Sequence, residues 1–307
     1  MVSGMNLLGY RARYSTRTFF KKRLLRVGVS LFLASLFAYV LFCTFPSCFY
    51  GAEKFGGSFS AKDFLKGFLT NQILDIYWFL YAIIYLYVLT PLLSVVARSK
   101  KLLEYTLVLC FGHSVGIPFA EHLGINPTYF QTLFGWALFA NVNLFYFLLG
   151  YYLSTYAKPA KRLWGCILAY SLSAAIMFGS SLMAHGYFGS GQMGAYDSYL
   201  VGITSPFGVV LSISIFQLAK SLEPWLRTCA TRTKSVISAM SRCAFGVYLF
   251  HILFVNWTGG GPLGYLLGNV SNPFTKALFI YALTLGIVAL SRKLLQLGKA
   301  AFSKAWH

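Results

Sequence analysis

The stretch FFKKRLLRVGVSLFLASLFAYVLF, Phe19 to Phe42, decides the fold. Lys21, Lys22, Arg23 and Arg26 stand at the head of an apolar run. A helix that spans a bilayer needs about 20 mainly apolar residues, and this run supplies them. The basic head has two readings. It is an anchor whose long side chains snorkel to the lipid headgroups, or it holds an anionic substrate where the helix begins.

The rest of the chain has the same character. Of its 307 residues 57% are hydrophobic and only 11% charged, where a soluble domain carries about 25% charged residues. No stretch is long and polar enough for a separate soluble domain, and no internal repeat is evident. A net charge of +19 would suit nucleic acid. The basic residues, however, sit between apolar runs and not on one soluble face, which excludes that partner. Eight spans are expected, at 24–44, 73–96, 102–120, 130–155, 163–186, 199–220, 235–256 and 273–295. The fold class is therefore all-α, a polytopic transmembrane bundle in one integral-membrane domain over 1–307. The first residues, MVSGMNLLGYRARYSTR, hold an apolar stretch too short for a signal peptide and too short to span. They read as the tail of a helix.

The loops assign an orientation, because cytoplasmic loops carry an excess of Lys and Arg. Arg11 to Arg26 of the N-terminal segment, the connections at 98–101, 158–162 and 220–234, and the tail from Arg292 hold 21 of the 26 basic residues. All of these fall on one side, and the remaining Arg242 lies near the cytoplasmic start of the seventh expected span. The other side holds Lys54, Lys62, Lys66 and Lys276 against Glu53, Asp63, Asp75, Glu121 and Asp197. Both termini are thus expected in the cytoplasm, and the loop at 45–72 outside. Cys43 and Cys48, which flank a Pro-containing turn at its start, either bridge, if it faces an oxidising compartment, or remain isolated thiols.

Three motifs offer chemistry. Arg23 and Arg26 are three apart and so share a helix face, and guanidinium forks match phosphate geometry. Asp75, in NQILDIYWFLYAIIYLYVLTPLL, lies near the outer end of its helix, one turn before Trp78 and Phe79. An ionisable group costs about 2.5–3.5 kcal/mol at the centre of a span, so Asp75 is either functional or interfacial beside an aromatic belt. In ISAMSRCAFGVYLFHILF, Ser241, Tyr248 and His251 fall near one another on one helical face, and His251 is either a general base or an interhelical hydrogen-bonding group. Asn141 and Asn143 read as mid-span interhelical glue. Glu121 and His122 are adjacent and point to different faces, so with His113 they make no metal site.

Taken together and in this order, the motifs resemble the membrane acyltransferase family 3, multispanning O-acyltransferases of cell-surface and exported carbohydrates. VSGMNLLGY (Val2–Tyr10) resembles the end of the family's second helix. FFKKRLLRV (Phe19–Val27) resembles the basic start of its third, with the Arg-x-x-Arg pair. WFLYAIIYLYVLTPLL (Trp78–Leu93) resembles its fourth, and SRCAFGVYLFHILF (Ser241–Phe254) the signature of its penultimate helix. The resemblance implies transfer of an acetyl or other short acyl group from acyl-CoA to a carbohydrate or glycolipid hydroxyl, in the plasma (inner) membrane. It assigns acyl-CoA binding to Arg23 and Arg26, and it implies no bound cofactor.

The family's first helix carries an arginine and, ten residues later, a histidine taken to be catalytic. Nothing here corresponds to it, and none of His113, His122, His185 or His251 stands in that place. Two expectations follow from the resemblance. Either the coding sequence starts upstream of Met1, or the chain is a shortened relative with little transfer activity, its catalytic residue unknown and His251 and Asp75 the weak candidates. Half the hydrocarbon core, roughly 15 Å, separates His251 from the arginines on this reading. A non-catalytic component of envelope polysaccharide assembly is the competing function. A small-molecule transporter explains the spans but not the motif order.

Overall fold

The computed structural model describes residues 1–56, 59–126, 141–160, 163–184, 199–228, 230–270 and 272–305. The described residues are helical and loop, with one isolated antiparallel bridge, Phe49 with Trp257. The helices are α1 (Val2–Leu7), α2 (Thr16–Lys22), α3 (Leu24–Thr44), α4 (Ala61–Leu69), α5 (Trp78–Val96), α6 (Lys100–Phe111), α7 (Ile117–His122), α8 (Val142–Thr155), α9 (Leu163–Ala184), α10 (Pro206–Thr228), α11 (Thr231–Val255), α12 (Gly261–Asn269) and α13 (Pro273–Ala305).

Six helical stretches among the described residues are long and apolar enough to cross a membrane: Thr16–Thr44, Asp75–Val96, Lys100–His122, Leu163–Met183, Thr231–Val255 and Pro273–Leu297. They coincide with six of the eight expected spans. The expected span at 130–155 lies partly outside the described residues, as do His185 and Asp197. The one expected at 199–220 starts later, at Pro206, and runs on to Thr228 through Lys220, Glu223 and Arg227. Large apolar side chains on these stretches face outward: Trp164 is 80% exposed, Leu168 70% and Phe274 86%. In water so much exposed apolar surface would be a liability, whereas lipid chains cover it.

The chain divides into two compact units, Met1–Leu24 with Tyr85–Thr228, and Leu25–Ile84 with Cys229–His307. In the first unit, α1 and α8 touch backbone to backbone. A Cβ at Gly4 would lie 1.7 Å from the Phe147 carbonyl oxygen, and one at Gly150 would lie 2.1 Å from that of Met1. Small residues permit this approach in membranes, where packing rather than water exclusion joins helices. Behind α1, Tyr10 is fully buried against Phe19, with ring centroids 4.6 Å apart, and its hydroxyl lies 2.8 Å from the Thr16 hydroxyl. Arg11 reaches α5, donating from Nε to Ser94 Oγ at 2.7 Å and from Nη2 to the Pro91 carbonyl at 3.2 Å. Between α6 and α7 the backbone widens into a π turn over Gly112–Gly116, ahead of Pro118, a residue with no N–H to offer a regular helix.

Two expectations are corrected here. Asn141 is no mid-span glue. It is the N-cap of α8, and its side-chain oxygen accepts from the backbone N–H groups of Asn143 and Leu144 at 3.0 and 3.4 Å. Asn does this because its short carbonyl reaches the unpaired donors of a first turn. Secondly, Arg23 and Arg26 do not ride one regular helix. Arg23 caps the C-terminus of α2 with φ −114° and ψ −60°, and α3 begins at Leu24.

In the second unit, Leu31, Ala34, Ala38 and Phe42 of α3 form a core with Phe64, Leu80 and Leu249. Helix α4 starts with Ser60 accepting from the Asp63 N–H at 3.2 Å. It ends with Asn71 in the left-handed region (φ +54°), the Gln72 N–H returning to the Gly67 carbonyl at 2.8 Å. Helices α11 and α13 run antiparallel. Arg292 donates to the Arg242 carbonyl, and four residues on, Gly246 faces Val288 so closely that a Cβ would meet it at 2.7 Å. The loop after α3 is held by backbone bonds, the Cys48 carbonyl accepting from Thr258 and Gly259 at 2.9 and 3.1 Å. Cys43 and Cys48 are free thiols, so the bridge left open by the sequence is not formed.

Candidate functional site

The site is built in the second unit, where the start of α5 meets α11. Tyr77 is buried, and its hydroxyl donates 2.8 Å to the Leu249 carbonyl. In return the Tyr248 hydroxyl donates to the carbonyl of Ile76. Phe79 stands edge-on to Tyr248, with centroids 5.8 Å apart. The two tyrosines therefore fix the register of α11 against the segment that opens α5.

One turn beyond Tyr248, His251 directs Nδ1 back along its own helix. That nitrogen lies 2.9 Å from the Tyr248 carbonyl and 3.1 Å from that of Val247. A carbonyl only accepts, so in the neutral ring Nδ1 carries the proton and Nε2 keeps a lone pair. His251 lines a cavity of about 370 Å³ with Val247, Tyr248, Ile280 and Tyr281. An imidazole in this tautomer, beside a mostly apolar cavity, is a hydrogen-bond acceptor for an entering hydroxyl.

The other expected site residues fall elsewhere. Ser241 shares α11 with His251, but ten residues at about 1.5 Å each separate them by about 15 Å. Ser241 is exposed, so of the three motif residues only Tyr248 and His251, with ring centroids 6.0 Å apart, come together. Trp78 is half exposed, and Asp75 is exposed at the start of its helix, its carbonyl accepting from Asn71 Nδ2 at 3.2 Å. Arg23, in the first unit, and Arg26, in the second, both have exposed side chains. Within the second unit Phe37 meets Phe250 at 5.8 Å, edge-on, which sets the level of His251 along α3. Arg26 lies eleven residues back along α3, about 16 Å.

Sequence reasoning missed Tyr77 and Tyr281. Tyr77 stands in an aromatic run that reads as interfacial belt, and its partner is 172 residues away. Among the described residues no group of His, Cys, Asp and Glu side chains is placed to hold a metal ion.

Apolar spanning helices with lipid-facing surfaces define a multi-pass integral membrane protein. Within that class, the acyltransferase domain family matches residues 1–292, nearly the whole length, and the chain belongs to this membrane acyltransferase family 3. No curated protein and no solved structure matches it.

Proposed function

We propose that the protein is a membrane O-acyltransferase of the cell envelope. It moves an acetyl or other short acyl group from acyl-CoA to a hydroxyl of a carbohydrate or glycolipid, in the plasma (inner) membrane. The observation that carries this reading is the His251 ring, which lines a cavity and has Nδ1 against two backbone carbonyls; Nε2 is the nitrogen we assign as the base. A hydroxyl is a poor nucleophile near neutral pH and needs such a base.

In the reaction the hydroxyl oxygen attacks the thioester carbonyl carbon, a C–O bond forms and the C–S bond breaks. His251 Nε2 takes the hydroxyl proton and returns it to the departing thiolate, releasing CoA thiol. Tyr248 acts as a positioning residue, because its hydroxyl fixes the helix that carries His251. Arg23 and Arg26 offer exposed guanidinium groups to the phosphates of the donor. The stretch of about 16 Å along α3 between Arg26 and the level of His251 leaves the acyl group to be carried on an extended donor arm.

The test uses the full chain in lipid, labelled acetyl-CoA and a soluble oligosaccharide acceptor. His251→Gln, which keeps ring-sized bulk without the base, should lower transfer by about 10²–10⁴-fold while acetyl-CoA binding stays intact. Arg23→Ala with Arg26→Ala should weaken acetyl-CoA binding by at least about tenfold, since charge-assisted contacts contribute about 1.5–3 kcal/mol each. Undiminished transfer by His251→Gln would remove His251 from the chemistry. No transfer by the wild type would favour the non-catalytic reading.

A further inference from the structure

A second cavity in the same unit shares no lining residue with the one at His251. It holds about 510 Å³ between α3, α11 and α13, with Phe37, Phe250, Trp257 and Val288 among its walls and Ser291 and Arg292 toward one end. Its length follows from the helix register. Arg292 is bonded to the Arg242 carbonyl, whereas Trp257 lies beyond the other end of α11. From Arg242 to Val255 is thirteen residues, about 20 Å. One lipid chain occupies half a core of about 30 Å, roughly 15 Å, so the groove is long enough to take a single chain.

The charge at the Arg292 end calls for an anion. The backbone bond brings two guanidinium-bearing residues, Arg242 and Arg292, side by side. Arg242 spends one N–H on Ser238 Oγ at 2.7 Å, and Arg292 spends one on the carbonyl. Each guanidinium has five N–H donors, so most remain to be used. Residues 229–307 contain no Asp or Glu at all, against eight Lys and Arg. The acidic residues of the other segment of this unit, Glu53, Asp63 and Asp75, belong to the turn at 53–55, to α4 and to the turn before α5. An anion at the arginine pair therefore has no acidic side chain of residues 229–307 to compete with.

We infer that this groove binds one acyl chain of an anionic phospholipid, with the headgroup phosphate held at Arg292 and Arg242. The apolar walls take the chain, and the arginine pair takes the phosphate through charge-assisted hydrogen bonds. This site is independent of the acyl-transfer reading, since it uses neither His251 nor Arg23 and Arg26.

The experiment is lipid binding to the full chain in mild detergent, read by native mass spectrometry with phosphatidylglycerol and phosphatidylcholine added separately. One phosphatidylglycerol should be retained at least about tenfold more tightly than phosphatidylcholine. Arg292→Gln should erase that preference, and Arg292→Lys should keep most of it. Ile287→Trp, which fills the groove, should abolish tight retention of both lipids. Equal retention of the two lipids by the wild type, or an undiminished preference in Arg292→Gln, would overturn the inference. Displacement of phosphatidylglycerol by a lower concentration of polyprenyl phosphate would overturn the phospholipid assignment. If Arg292→Gln fails to fold, the lysine and tryptophan variants decide by the same readout.

Discussion

Tyr77 and Tyr248 each hold the other's segment by the backbone: Tyr77 Oη donates to the Leu249 carbonyl at 2.8 Å, and Tyr248 Oη to the Ile76 carbonyl. The two bonds form a closed pair, because the acceptor in each case is the immediate neighbour of the other donor. Removing one hydroxyl loosens the geometry of the second. Tyr77→Phe and Tyr248→Phe should each lower stability in lipid by about 0.6–1.7 kcal/mol, the range of interhelical bonds in membranes. The double variant should lose less than the sum, since the bonds are coupled. Thermal unfolding in bicelles measures this, and strict additivity would show two unrelated bonds.

The approach of α1 to α8 gives a sharper test. Gly4→Ala places a methyl 1.7 Å from the Phe147 carbonyl oxygen, and Gly150→Ala places one 2.1 Å from that of Met1. Both obstacles are backbone, so the helices must separate. Either variant should lower stability by about 1–3 kcal/mol, as overpacking does. Gly165→Ala in α9 is the control: nothing lies within 4 Å of its added methyl. There the exchange should gain up to about 1 kcal/mol from helix propensity. Similar losses at all three positions would mean that helix contact is not the cause.

Lys220 ends α8. Its ammonium donates to the carbonyls of Leu153, Ser154 and Ala157 at 2.7, 3.1 and 2.6 Å, using all three of its protons. These are carbonyls at and just beyond the end of a helix, where the chain offers no further N–H and the macrodipole favours a cation. Lys220→Met keeps the stem and removes the charge. It should cost about 1–3 kcal/mol and speed amide exchange in the last turn of α8. Unchanged exchange from Tyr152 to Tyr156 would show that water serves these carbonyls equally well.

Lys220 also shows what a sequence conceals. Its position between an apolar run and a basic loop reads as one more anchoring charge, and nothing local announces three acceptors some sixty residues away. Six of the eight expected spans were legible, because length and hydropathy are properties of a continuous segment. His251 stood out in the sequence as an ionisable ring within an apolar helix, and its role is the proposal made above. The break at Arg23 was not legible, since LLRV continues a helical pattern without glycine or proline. The Asn141 cap was hidden by the apolar residues around it, which made a boundary resemble an interior. Tyr77 was visible only as aromatic, because its hydrogen bond depends on which segment packs beside it.

Orientation is the remaining prediction, and it rests on the 21 basic residues that the alternating loops place on one side, against four on the other. Two exposed positions test it in a cysteine-free background. Tyr50, 76% exposed beside the Gly51 turn, belongs to the loop expected outside. Lys101, exposed at the start of α6, belongs to a connection expected inside. Tyr50→Cys should react with a membrane-impermeant maleimide on intact cells. Lys101→Cys should react only after permeabilisation, and so should Ser303→Cys near the C-terminus. The threshold for reversing such a bias is substantial, because each basic residue near an anionic leaflet contributes about 1 kcal/mol to retention on that side. Reaction of Lys101→Cys on intact cells would reverse the orientation. It would also place Arg23 and Arg26 away from the cytoplasm, where acyl-CoA is supplied, and so remove them from the donor's path. Opposite results at Lys101 and Ser303 would instead mean an odd number of crossings between them. With six apolar stretches identified and the 130–155 and 199–220 regions in question, that outcome would assign one of those two regions to the membrane and the other to its surface.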